Sequence, residues 1–480
     1  MGDFFKLKEH NTDFRTEIIA GITTFMTMAY IIFVNPNILG TPGTGMDKGA
    51  VFVATCLGAG LVTIAMGLFT NYPIALAPGM GLNAFYTYSV ILGMGVKWEV
   101  ALGAVFISGL IFILLTLTKV REAIVDAIPQ SLKLAITAGI GLFIALIGFK
   151  EAGIVVANPA TIIGLGNLLD PAPMVALIGL LITAVLMIRQ VKGAILIGLL
   201  LTSLIGVIPS TMPLFPVNAD MVKTAQADAT ANNTDVLAEL KNKNFMIYEK
   251  EGNFYQGVTP IPTGISSFVS TPPSIAPTFG KLDIMGALSL GFVNIVLTFT
   301  FVEMFDTIGT LVGTLGRAGL ADKQGRFPKI GRAMLVDATG ISLGAVLGTS
   351  TITAYVESAS GVAAGGRTGL TSVTTGVLFL AALFIAPMAG LIPAAATSPA
   401  LILVGVLMAS ALMKIDFEDM TEALPAFLVV VGMPFTYSIA DGIAAGLISY
   451  TFVKVLTSKA KEVHPIVYVL TALFIIRGLM

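Results

Sequence analysis

Charge is scarce in this sequence. Asp, Glu, Lys and Arg make up 11% of its 480 residues, whereas soluble domains carry about 25%. An ordinary soluble domain is thereby excluded. The few acids and bases nearly cancel, to a formal net charge of −1, so the chain does not bind nucleic acid through bulk charge. Its single cysteine, Cys56, lies in an apolar run and permits no disulfide framework within the chain. Both histidines, His10 and His464, fall outside the apolar segments. No Cys/His metal cluster and no Ser-His pair can therefore be assembled inside them. A GxxxxGK[ST] phosphate loop is also missing, which leaves ATP-driven chemistry unsupported. Neither an enzyme nor a cofactor is expected.

What the chain does have is apolar length: 55% hydrophobic residues and a mean hydropathy of +0.91. Apolar segments fall at 17–36, 50–70, 78–95, 99–118, 130–149, 173–188 and 193–209. A second set lies at 284–314, 333–348, 353–366, 369–387, 393–413, 421–437 and 440–456, and a short apolar piece follows at 465–476. Runs of this length predict an all-α polytopic membrane protein of about fourteen transmembrane segments. The polar start, "MGDFFKLKEHNTDFRT", lacks the apolar core and cleavage site of a signal peptide. Lys6, Lys8, Arg15, Lys119, Arg121, Lys133, Arg189, Lys192 and the basic loop from Arg317 to Arg332 all fall on one side if each segment crosses once. That side, with the N-terminus, is then cytoplasmic.

Seven segments per half is odd, so the halves run in opposite senses. "IPQSLKLAITAGIGLFIALIGFK" (128–150) and "IPAAATSPALILVGVLMASALMK" (392–414) share start, length and final lysine, and "KGAILIGLL" resembles "DGIAAGLIS". These matches favour two inverted seven-segment repeats, a plan common among secondary transporters. Between the halves, 216–259 reads as a polar extramembrane insertion with a short helix near 220–242, followed by Pro-rich "TPPSIAPTF".

Two segments at corresponding places are not plain helices. "NYPIALAPGMGLNAFYTYSV" (71–90) is broken by Pro78, Gly79 and Gly81. "GTSTITAYVESASGVAAGGRTG" (348–369) opens on residues that favour extended chain. Each predicts a short strand before a half-helix, in segments 3 and 10. Extended backbone cannot face lipid, but two such pieces buried in protein can satisfy each other. Gly/Pro-interrupted segments in matching positions point to a transporter's binding site. Their polar residues are Asn83 and Glu357.

Glu303, Asp306, Asp337 and Glu357 are the acids well inside apolar segments. Such a group costs about 2.5–3.5 kcal/mol even on lenient insertion scales, and is functional by default. Glu303 lies on a helical stripe with Thr300, Thr307 and Thr310, so this face meets a cavity or another polar segment. The competing reading for Asp306 and Asp337 is structural, with each carboxylate tying helices together through backbone amides.

At these residues a family resemblance emerges. "GITTFMTMAYIIFVNP", "APGMGLNAF", "FVEMFDTIGTLVG", "PPSIAPTF" and "YVESASGVAAGGRTGL", in order over nearly the whole chain, resemble the AzgA-like purine permeases of the xanthine/uracil permease (nucleobase–ascorbate transporter) superfamily. The resemblance implies the uracil-permease-like fold, with a core domain (1–120 and 284–390) and a gate domain (121–209 and 391–460). An extracellular linker would occupy 210–283, and 461–480 would form an interfacial or membrane helix. It implies import of hypoxanthine, guanine or adenine, powered by a proton gradient without a cofactor, at the plasma membrane. A homodimer would form through the gate domain. Glu303, Glu357, Asn83 and Gly81 would bind substrate, Phe85, Phe301 and Tyr355 are candidate aromatic walls, and Asp306 and Asp337 would couple protons. The readings weighed against it are an anion carrier of the same architecture and an intramembrane aspartyl protease.

Overall fold

The structure, a computed structural model, describes residues 2–118, 124, 127–217, 219–232, 235–237, 240, 246–250, 253–289, 296, 299–300, 303, 307, 310–311, 314–320 and 327–479. Among these, nine helices are long and apolar enough to cross a membrane, from Phe14–Leu39 to Ile439–Leu456. Shorter apolar helices cover Gly369–Ile385, Met420–Thr436 and Pro465–Ile476. The predicted helical membrane architecture is borne out. Polar residues cap the helices where the chain leaves its apolar runs. Asp13 and Asp47 accept the N–H groups of Thr16 and Ala50 at 3.0 and 2.7 Å, satisfying donors that the first helical turn leaves open. Leu117, Leu181, Ile188 and Leu204 are each more than 65% exposed, as side chains facing hydrocarbon would be.

The chain forms two compact units. One comprises Met1–Ala145, Pro272–Leu383 and Val404–Met480, the other Leu146–Thr271 and Phe384–Leu403. In the second, helices Pro171–Ile188 and Ala194–Ile205 pack together. Thr183 and Thr202 return their hydroxyls to their own helix carbonyls, Gly179 and Gly198. The polar insertion folds: a helix at Ala219–Asn232 and a hairpin share a small core of Val217, Ala225, Leu240 and Ile247. That hairpin is a departure from the single helix expected, and its strands "MIYEK" and "NFYQG" pair Tyr248 with Tyr255.

Among the described residues six short strands occur: β1 (Leu76–Pro78), β2 (Val155–Asn158), β3 (Ile162–Leu165), β4 (Met246–Lys250), β5 (Asn253–Gly257) and β6 (Ile352–Ala354). β2–β3 and β4–β5 are hairpins. β1 and β6 are far apart in sequence and pair antiparallel in the first unit, with Leu76 opposite Ala354 and Pro78 opposite Ile352. They are the two strands predicted in the broken segments. Each continues into a short helix, Met80–Ala84 after β1 and Ser358–Ala363 after β6. The first runs on as a π-helical stretch, Phe85–Gly93.

A two-stranded ribbon has two open edges, and both are closed here by side chains. On the β1 edge, Thr63 Oγ1 accepts the Leu76 N–H at 2.8 Å and donates to the Leu76 carbonyl at 2.9 Å. On the β6 edge, Asp337 Oδ1 accepts the Ala354 N–H at 3.2 Å. Ser358 Oγ accepts the N–H of Ala75 just before β1. Thr63 and Asp337 sit on helices Lys48–Thr70 and Ile330–Leu347, and the first packs against Gly369–Ala381 through facing glycines. A Cβ on Gly376 would stand 2.6 Å from the Gly60 carbonyl oxygen, so only glycine permits this approach. Thr63→Val keeps the shape but strands two buried backbone groups, each worth about 1–3 kcal/mol. It is expected to lower the melting temperature of detergent-purified protein clearly, with Thr63→Ser close to wild type. Equal melting of all three would show that the β1 edge is satisfied without the hydroxyl.

Candidate functional site

The helix breaks put β1, β6 and their half-helices beside a cavity of about 580 Å³, within the range of small-molecule sites. Its wall includes Gly79, Met80 and Gly81 from the first broken segment and Ala354, Tyr355, Val356 and Glu357 from the second. Tyr30, Ile140 and Thr310 also contribute. Gly81 is needed for space, because a Cβ there would lie 2.7 Å from Ile140 Cγ2.

Glu357 stands at the bend between β6 and its half-helix. Its Oε1 accepts a 2.8 Å hydrogen bond from the hydroxyl of Tyr30, which is itself fully buried and part of the wall. Tyr355 is pinned by both ends: its N–H donates to the Ala75 carbonyl at 3.0 Å and its hydroxyl to the Pro78 carbonyl at 2.5 Å. The cavity therefore offers one oriented carboxylate against a rigid aromatic and backbone surface. Arg317 and Lys414 lie elsewhere on its wall.

The other residues singled out from sequence take different positions. Asn83 is fully buried on the half-helix after β1, and its Oδ1 accepts from Ser350 Oγ. Its Nδ2 has no hydrogen-bond partner among the described residues. Glu303 is also fully buried, and Thr300, Thr307 and Thr310 on its stripe are each at most 9% exposed. Thr310 on this stripe lies on the cavity wall, and Thr307 meets Asp337. Thr307 Oγ1 donates to Asp337 Oδ2 at 2.9 Å, and Thr353 Oγ1 to Asp337 Oδ1 at 3.3 Å. With the Ala354 amide, three donors converge on Asp337, which ties the Glu303 helix, its own helix and β6 together. Phe85 is fully buried and meets Phe299 edge to face at 5.1 Å. Asp306 and Phe301 lie outside the described residues. Of the named residues, then, Gly81, Tyr355 and Glu357 line the cavity, whereas Asn83, Phe85, Glu303 and Asp337 are buried and not part of its wall.

Three contributors escaped the sequence reading. Tyr30 lies in a quoted motif, but its partner is 327 positions away. Thr63 gives no signal, being one threonine in an apolar helix. Glu17 is a fully buried acid at the edge of the first segment. It accepts the Arg367 N–H at 2.9 Å, the Thr371 hydroxyl at 2.6 Å, and the N–H groups of Thr368 and Thr371 at 3.3 Å. Glu17 thereby caps the helix that follows the second broken segment. An acid in the first turn of the first span was the available signal.

Residues 15–445 match the Permease family of xanthine/uracil permeases. The chain belongs to that family, and it is accordingly a membrane transporter and not an enzyme. It is 44% identical to the guanine/hypoxanthine permease PbuG of Bacillus subtilis, over 99% of both chains. Identity to the adenine permease AdeP of Escherichia coli is 42%, covering 98% of this chain and 94% of AdeP. The resemblance to purine permeases is thus borne out. In fold, the chain is similar to the transmembrane domain of the cyanobacterial bicarbonate transporter BicA, with a TM-score of 0.60 and 14% identity. That likeness covers 90% of this chain and 97% of the BicA domain.

Tyr30→Phe keeps the ring and removes the donor to Glu357. It is expected to raise the KM for uptake about tenfold, the worth of one hydrogen bond to a charged group, without changing the amount of protein in the membrane. An unchanged KM would show that the phenol does not position this carboxylate.

Proposed function

We propose that the protein imports purine nucleobases such as hypoxanthine, guanine or adenine across the plasma membrane, together with protons. The observation that carries this reading is Glu357 on the cavity wall at the strand–helix bend, held by Tyr30. A purine presents ring N–H donors, and a carboxylate is the acceptor that suits them. Tyr355 and the backbone of Gly79 to Gly81 form a surface against which a flat base can lie. PbuG and AdeP, each matched over nearly its full length, are named for purine substrates. An anion carrier would call for a positive centre; Arg317 and Lys414 lie on the cavity wall, but the group at the strand–helix bend is the Glu357 carboxylate.

Glu303 and Asn83 belong to this site in a second conformation, in which the seam between β1 and β6 is reached more deeply. The core domain (1–120 and 284–390) carries the seam, and the gate domain (121–209 and 391–460) moves against it. Alternating access of fourteen segments in two inverted repeats follows from that division, with the gate also forming a homodimer and the N-terminus on the cytoplasmic side. Coupling is assigned to Asp306 and Asp337. Protonating Asp337 would weaken an acceptor of the Ala354 N–H, so proton load acts on the strand that bears Tyr355 and Glu357.

The test is uptake of radiolabelled hypoxanthine into proteoliposomes under an inward proton gradient, with adenine, guanine, xanthine and uracil as competitors. Gradient-driven accumulation blocked by purines is expected. Glu303→Ala or Glu357→Ala should abolish it while the protein stays in the membrane, and wild-type uptake by either variant would sink the site. Asp337→Asn keeps an acceptor for Ala354 but cannot carry a proton. It is expected to bind hypoxanthine normally and to fail in accumulation, whereas full accumulation would leave Asp337 a structural tie.

A further inference from the structure

A second cavity, of about 250 Å³, lies where the N-terminal segment meets the ends of two core helices. Its wall includes Lys6, His10, Tyr72 and Lys329, with Glu9 as the one acid among the described residues. Its construction is specific. Phe5 and Leu7 are buried against Leu370, and Asn71 Nδ2 holds the Phe5 carbonyl at 2.9 Å. Lys6, between these two anchors, adopts a left-handed backbone conformation (φ 54°), a conformation that costs a non-glycine residue energy. Lys6 pairs with Glu9 at 3.0 Å on an exposed surface. Lys329 makes no ion pair among the described residues.

Tyr72 contributes a second feature. It is 5% exposed, and its hydroxyl accepts the backbone N–H of Lys329 at 3.0 Å. That leaves the phenolic proton free to donate, with no acceptor among the described residues. Burial, with Arg332 and Lys6 nearby, holds the Lys329 ammonium below its usual range. Lys6, Lys329 and Arg332 thus bring like charges together at this recess. Lys329 also begins helix Ile330–Leu347, which has no side-chain cap, so its dipole adds to the same field.

We propose that this cavity binds a phosphate group, held by Lys6, Lys329 and the Tyr72 hydroxyl. The group could be carried by the headgroup of an anionic lipid or by a free phosphorylated small molecule. The cavity lies at the ends of helices Lys48–Thr70 and Ile330–Leu347, both long and apolar enough to cross a membrane, and basic recesses between such helices meet headgroups at the membrane surface. An occupied cavity would clamp the N-terminal segment to the core helices. Among the described residues the site shares none with the substrate cavity, and it does not depend on the substrate reading.

The test uses the full chain and a Lys6→Gln/Lys329→Gln double variant, which alters residues outside the substrate site. Melting temperature is measured in detergent against inorganic phosphate, with sodium chloride at matched ionic strength, and in nanodiscs of phosphatidylcholine with or without phosphatidylglycerol. A saturable rise with phosphate beyond that with chloride identifies a site open to free phosphate. A rise with phosphatidylglycerol alone identifies a headgroup site. In either case the variant is expected to need at least about tenfold more ligand for the same shift. No rise in the wild type, or an equal rise in the variant, overturns the proposal. Hypoxanthine uptake measured on both proteins checks the transport reading separately, and it is expected to persist in the variant.

Discussion

A peptide group inside a membrane has no water to bond, so extended chain can exist there only if every N–H and C=O finds a partner in the protein. Six residues of the first unit, β1 and β6, meet that requirement. They pair with each other, and their outer edges are closed by Thr63 on one side and Asp337 on the other. Much of the first unit follows from these contacts. Helices Lys48–Thr70 and Ile330–Leu347 must flank the ribbon because they carry the closing side chains. The Glu303 helix must lie alongside because Thr307 reaches Asp337.

This constraint also explains where the chemistry sits. Breaking two helices in mid-segment exposes backbone and opens space together, and the cavity forms beside the break. A carboxylate at the bend can be held by a neighbour without crossing a full helical turn, and Tyr30 provides that hold for Glu357. A buried acid that only ties structure looks the same in sequence. Glu17 and Asp337 each accept several hydrogen bonds from backbone amides and threonines, whereas Glu357 faces open volume. The number and kind of donors distinguishes a tie from a binding group.

The insertion shows how composition can hide structure. Its Asn/Lys/Asp-rich sequence reads as polar linker, yet four apolar residues spaced along it collect into a core of their own. The apolar pairs Met246–Ile247 and Phe254–Tyr255 were the signal for β4 and β5, and they were too short to stand out against polar neighbours.

By itself, the sequence determined the membrane class, the two broken segments with their strands, and three of the acids inside the fold, Glu303, Asp337 and Glu357. These depend on local quantities: apolar length, Gly and Pro positions, and the cost of charge in hydrocarbon. Only the tertiary structure decided which acids face the cavity and which are consumed as ties. It also decided that Tyr30 and Thr63 matter, and that Asn83 and Glu303 are buried and not part of the wall in this conformation. The physical reason is sequence distance. Tyr30 and Glu357 are 327 residues apart, and β1 and β6 come from opposite halves, so their pairing exists only once the chain has closed on itself.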